Sequence, residues 1–161
     1  MKKLLLAVIV SLSTVTTAAL AEIKVGIILG FTGPIESLTP AMRDGAKLAF
    51  EEASNSGNLL GGERFKILEA DSTCVDAAAA TAAAEGLVAD GVVAIMGADC
   101  SGVTKAINAS VAVPNGIMMV SPSATSPALS SVPDNGTFWR TAPSDAKGGQ
   151  ILAQIALDRG L

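Results

Sequence analysis

Val92-Val93-Ala94-Ile95-Met96-Gly97 is a wholly apolar run that stops abruptly in Ala98-Asp99-Cys100-Ser101-Gly102. A second run, Ile117 to Val120, stops the same way in Ser121-Pro122-Ser123-Ala124-Thr125. Short apolar runs bounded by small polar residues read as buried strands. Two more match the pattern: Ile23 to Leu29 closes at Gly30-Phe31-Thr32-Gly33-Pro34, and Phe65 to Ala70 closes on Asp71-Ser72-Thr73-Cys74. Helical stretches lie between them. Met42, Ala46, Ala49, Phe50 and Ala53 recur at helical spacing after Thr39-Pro40, where Thr39 is expected to cap the helix. Val75 to Ala89 is alanine-rich, and Val103 to Val113 is halted by Pro114-Asn115-Gly116. After a Ser- and Pro-rich loop (121–136), Thr137 to Arg140 reads as a short strand and Ala146 to Arg159 as a further helix. This alternation predicts an α/β fold: a doubly wound parallel sheet with right-handed crossovers. The Val92 strand is expected at its centre, covered on both faces.

The first 21 residues read as an export signal rather than as part of the fold. Lys2-Lys3 form a basic start, Leu4 to Val10 an apolar stretch, and Ala19-Leu20-Ala21 a small-x-small cleavage site. Ser11, Ser13, Thr14, Thr16 and Thr17 interrupt the apolar stretch well short of the ~20 residues a spanning helix needs. Without Lys2 and Lys3 the formal charge moves from −4 to −6, with no basic face to neutralise phosphates, so no nucleic-acid partner is expected. The absence of histidine removes the commonest general base and the commonest metal ligand. In an oxidising compartment a disulfide between Cys74 and Cys100 is the simplest reading, with two buried free thiols as the alternative.

Parallel strands align their carboxyl ends, so the loops at 30–34, 71–74, 97–102 and 121–125 should gather on one edge, where open α/β sheets bind ligands. In a 2-1-3 strand order the loops after the second and third strands start ~10 Å apart and must arch over the first. Ser101 precedes the third helix, whose free N–H groups favour an anion, although an ordinary helix cap would also explain a serine there. Nucleotide chemistry is poorly served. Gly26 to Gly33 is not a GxGxxG fingerprint, no GK[ST] occurs, and Asp71 only imitates a ribose-binding acid. Catalysis is no better supported, since Ser101 lies in no G-x-S-x-G elbow. Asp99 beside it reads as a solvated loop residue, and Phe138-Trp139-Arg140 as packing at a domain boundary. The stripe Ile151, Ile155, Leu157 has no strand left to cover, which suggests a piece of a longer protein.

Several segments, in order and spacing, carry a family resemblance. They are Ile23-Lys24-Val25 through Thr32-Gly33-Pro34, Asp71 through Cys74, Cys100-Ser101, Ser121-Pro122-Ser123-Ala124-Thr125-Ser126-Pro127, and Arg140-Thr141. Together they resemble the first lobe of periplasmic substrate-binding proteins of the leucine/isoleucine/valine type, from ABC importers. The resemblance covers everything after residue 21. It implies a periplasmic binding protein type I lobe, truncated before most of a second lobe. Residues 1–21 would be the signal peptide, 22–140 an incomplete first lobe, 141–145 a hinge, and 146–161 the start of the second lobe. It implies a Cys74–Cys100 bridge, with Ser101 and the adjacent Gly102 at the α-carboxylate of an amino acid. Ser123, Ala124 and Thr125 would contact its carboxylate and ammonium ends. Ser123 stands where alanine is usual, and Leu38 falls where many relatives place an aromatic at the cleft mouth. The implied protein needs no cofactor and catalyses nothing. It would be monomeric at full length, work in the periplasm, and pass its amino acid to permease subunits in the inner membrane. Two other classes compete: a ligand-sensing regulator on the same fold, and a serine-dependent α/β enzyme.

Overall fold

The structure is a computed structural model and describes residues 22–161; the expected export signal lies outside them. β1 (Glu22–Leu29) leads by way of a turn into α1 (Thr39–Asn55). β2 (Arg64–Asp71) and α2 (Ala77–Ala89) follow, then β3 (Ala94–Gly97) and α3 (Ser101–Ile107). α3 runs on through a π turn, Asn108–Ala112, into α4 (Val113–Asn115), and Gly116 in the left-handed region ends the stretch. β4 (Met118–Ser121), a 3-10 turn at Pro127–Ser131, β5 (Phe138–Arg140) and α5 (Asp145–Asp158) complete it. The described residues form a five-stranded sheet in the order β2-β1-β3-β4-β5, with every pairing parallel. The chain moves from β1 outward to β2 and then returns to β3 on the other side. That reversal places the crevice beyond the ends of β1 and β3.

One face of the sheet is thoroughly packed. Ile95, Met119 and Phe138 stand in register beneath α2 and α3, Ile28 lies on the same face two residues farther along, and Ala80, Ala84 and Leu87 of α2 and Val103 and Ile107 of α3 are buried against them. Asp76 caps α2 by accepting the N–H groups of Ala78 and Ala79, the usual role of a short acidic side chain at that position.

The opposite face departs from expectation. Val25, Ile27 and Leu29 are buried, but the α1-side row of β3 to β5 is open: Ala94, Met96 and Val120 are only half-buried, and Met118 and Trp139 are 50% and 61% exposed. β3 is therefore not covered on both faces. α1 lies over β1 and β2, and its predicted stripe reaches no farther. Met42, Ala46, Phe50 and Ala53 are half-buried and Ala49 is exposed. An apolar cavity of about 330 Å³ remains between Ala46, Ala49 and Phe50 on one side and Ala94, Met96, Met118 and Val120 on the other. Trp139 does not pack as expected, whereas its neighbour Phe138 is in the core. Thr39 also departs from its predicted role: it is the first helical residue, its hydroxyl donates to the Glu36 carbonyl, and Leu38 takes the cap position. α5 buries none of its residues; Ile151, Leu152, Ile155 and Leu157 stay exposed. Among the described residues no helix is long and apolar enough to cross a membrane.

Candidate functional site

The four loops do meet over the end of β1. Their organiser is Asp99, which is 2% exposed and thus not the solvated residue its loop position suggested. One carboxylate oxygen accepts the Gly30 N–H at 2.8 Å; the other accepts the Ser72 hydroxyl at 3.2 Å and the Cys100 N–H at 3.0 Å. A buried charge is costly unless its lone pairs are used, and here three donors from three loops use them. Cys74 and Cys100 are bridged, with their Cα atoms 5.2 Å apart, fastening the β2 and β3 loops across β1.

Asp71 does the same between the first two loops. Its carboxylate accepts the Thr32 hydroxyl at 2.6 Å and the N–H groups of Thr32 and Thr73 at 3.3 and 2.8 Å. These bonds leave little of the carboxylate for a ribose. Gly33 makes the approach possible: its φ is +104°, and a Cβ there would stand 2.5 Å from the Thr73 carbonyl oxygen. Burial pushes the Asp71 carboxyl up, but the hydrogen bonds from Thr32, Thr73 and Phe31 outweigh it and hold the group below the ordinary carboxylate range. The folded state thus favours the ionised form. That contribution is complete above the unfolded value of about 4 and fades as pH falls through the lower folded value. The melting advantage of the native protein over Asp71→Asn should therefore be constant near neutrality and shrink below about pH 4. An advantage that grows on acidification would contradict this assignment.

Ser121 and Arg140 shape the fourth loop. The Ser121 hydroxyl donates to the Ala98 carbonyl at 2.5 Å and accepts the Ala124 N–H at 3.0 Å. Arg140 donates to the carbonyls of Ala124 and Ser126 at 3.1 and 2.9 Å and to the Ser130 hydroxyl at 2.6 Å. Arg140 is thus a clamp on the loop, a role its place beside two aromatics did not announce.

Each expected site residue can now be placed. Ser101 is half-buried at the start of α3, where the first N–H groups have no carbonyl partner within the helix. Its oxygen accepts the Ser126 N–H at 3.1 Å. Gly102, next along, is exposed. Ser123 donates its hydroxyl to the Asp99 carbonyl at 2.9 Å, so its side chain holds the loop. Ala124 is fully buried, with its N–H on Ser121 and its carbonyl on Arg140; it offers the crevice no group. Thr125 is half-buried and donates its hydroxyl to an Asp145 carboxylate oxygen at 2.8 Å, while the Asp145 N–H returns a bond of 3.0 Å to the Thr125 carbonyl. Leu38 is 56% exposed on the turn before α1.

Two hydroxyls of opposite polarity result. Ser101 accepts from a backbone N–H and keeps its proton to give; Thr125 has given its proton to a carboxylate and keeps lone pairs to receive. The α1 cavity, by contrast, is lined by aliphatic, thioether and aromatic groups and suits no charged ligand. Among the described residues no cluster of acids or cysteines could hold a metal ion.

The sequence from residue 22 to 160 matches the family model described as periplasmic binding protein. The chain belongs to the periplasmic binding protein family. Within that family it is 30% identical over 155 residues to the Leu/Ile/Val-binding protein BraC3 of Rhizobium johnstonii, covering 96% of this chain and 41% of that protein. The substrate-binding protein of Desulfitobacterium hafniense, solved in complex with Leu, is similar at 28% identity and a TM-score of 0.69, covering 87% of this chain and 40% of that one. LivJ of Streptococcus pneumoniae, solved in complex with isoleucine, is similar at 27% identity and a TM-score of 0.67, covering 78% and 35%. This periplasmic binding protein chain spans about two fifths of the length of the curated relatives it matches.

Proposed function

We propose that this chain is the first ligand-binding lobe of an exported amino-acid receptor for an ABC importer. In this reading residues 1–21 are a cleaved signal, 22–140 the lobe, 141–145 the hinge, and 146–161 the start of a second lobe. Lobe closure traps a branched-chain or related amino acid, and the receptor then delivers it in the periplasm to permease subunits. The reading rests chiefly on one observation: the donor hydroxyl of Ser101 and the acceptor hydroxyl of Thr125 lie on adjoining loops at the sheet edge. An α-amino acid presents the matching pair, a carboxylate that accepts and an ammonium that donates. The relatives solved with leucine and with isoleucine support the same ligand class. In this reading the exposed Leu38 is a cleft wall for the ligand's side chain.

Nothing in this edge calls for a reaction. The described partner of the Ser101 hydroxyl is a backbone N–H, which cannot take its proton, so the serine is set to donate a hydrogen bond rather than to attack. Ser101→Ala should weaken leucine binding at least about tenfold, the typical effect of removing a hydrogen bond to a charged group. Titration calorimetry on the full chain checks this. Unchanged affinity in that variant would refute the assignment.

A further inference from the structure

Asp145 is the first residue of α5 and follows the short link after β5. Its backbone and side chain are both committed to one residue. The N–H donates to the Thr125 carbonyl, and a carboxylate oxygen accepts the Thr125 hydroxyl at 2.8 Å. An ionised carboxylate has no proton to give, so Thr125 must be the donor of that bond. Asp145 forms no ion pair among the described residues, so its charge is not neutralised by a neighbouring lysine or arginine. The next residue after Thr125, Ser126, gives its N–H to Ser101. The acceptor end of the site therefore sits beside an exposed carboxylate with no cationic side chain on it, offset only by the start of α5, and the donor end lies one peptide away.

We infer that Asp145 is a specificity-determining positioning residue: by holding the Thr125 proton and adding a negative charge behind it, it makes this end of the site select a cationic α-ammonium over a neutral α-hydroxyl. The inference rests on the amino-acid reading above and adds to it the residue that sets the sign of one pole. Ser101 and Thr125 alone would not decide that sign, because a free threonine hydroxyl donates as readily as it accepts. With Asp145 in place, a ligand hydroxyl finds a usable lone pair but gains nothing from the charge. A ligand ammonium gains from both.

The test is the ratio of affinities for leucine and for the 2-hydroxy acid of the same skeleton, in the full chain and in Asp145→Ala, Asp145→Asn and Asp145→Glu. Chemical-shift titration detects weak binding and so reads all four proteins. The Ala variant should lower the preference for leucine about fivefold, the scale of one ordinary net hydrogen bond. The Asn variant keeps an acceptor without the charge and should fall between Ala and the native protein, while Glu should restore part of the preference. If Asp145 serves only to start α5 or to stiffen the link, both ligands weaken together and the ratio holds; that result overturns the inference while leaving the amino-acid reading intact. A native protein that binds neither leucine nor any other α-amino acid overturns both.

Discussion

Gly97→Ala is expected to cost about 4 kcal/mol or more, a large share of the ~5–15 kcal/mol by which ordinary domains are stable. Gly97 ends β3 with φ +135°, a conformation that L side chains rarely adopt. A Cβ built there collides with the Ile28 carbonyl oxygen and lies 2.8 Å from the Ile28 Cγ2. Neither neighbour can retreat, because Ile28 pairs with Gly97 in the sheet and is itself fully buried. Relief would require parting β1 from β3 where Asp99 gathers the loops, so the damage should reach the site as well. Gly102→Ala is the control. No atom lies within 4 Å of a Cβ at that exposed helical position, and alanine is the better helix former by up to about 1 kcal/mol. Urea unfolding of the two variants should move the midpoint sharply down for Gly97→Ala and leave it level or slightly raised for Gly102→Ala. A Gly97→Ala midpoint equal to the native one would mean that the close approach of β1 and β3 is not as described.

The second large effect is expected from the Cys74–Cys100 bridge, which closes a sequence separation of 26 residues. In the chain-entropy picture a loop of that length is worth about 3.5 kcal/mol, so the paired serine variant should melt roughly 10 °C lower. The bridge also ties the loops after β2 and β3, which are not neighbours in the sheet. Its loss should free the Ser101 loop and weaken ligand binding in addition to stability. Melting curves with and without reductant, compared with the variant, separate the contributions. If the native protein and the double serine variant melt within a degree of each other, the bridge is not formed in solution.

What the sequence disclosed and what it hid follow a physical line. Strand edges were legible because a buried strand must be apolar and its loop cannot be, so Met96 to Ser101 and Val120 to Thr125 advertised themselves. The disulfide was legible from two cysteines and a first segment that reads as an export signal, and it settles the question of how the loops arch over β1. Asp99 was misread because its burial depends on Gly30, 69 residues away in sequence. No local pattern distinguishes a carboxylate that collects N–H groups from one that meets water. Arg140 and Asp145 were missed for the same reason: their partners, the carbonyls at Ala124 and Ser126 and the Thr125 hydroxyl, lie across a long loop. The open face of β3 to β5 was invisible as well. Ala94, Met96, Met118 and Val120 are apolar whether or not something covers them, and hydropathy reports what a surface prefers rather than what it meets.

The central claim is that the strand-end edge, and not the apolar cavity under α1, receives an α-amino acid. Amide chemical-shift mapping during a titration of the isotopically labelled full chain with leucine tests it most directly. Shifts concentrated at Ser101, Gly102 and Ser123 to Ser126, with Asp145 following, are the predicted result. Shifts confined to Ala46, Phe50, Ala94 and Met118, or no shifts at millimolar leucine, would contradict it.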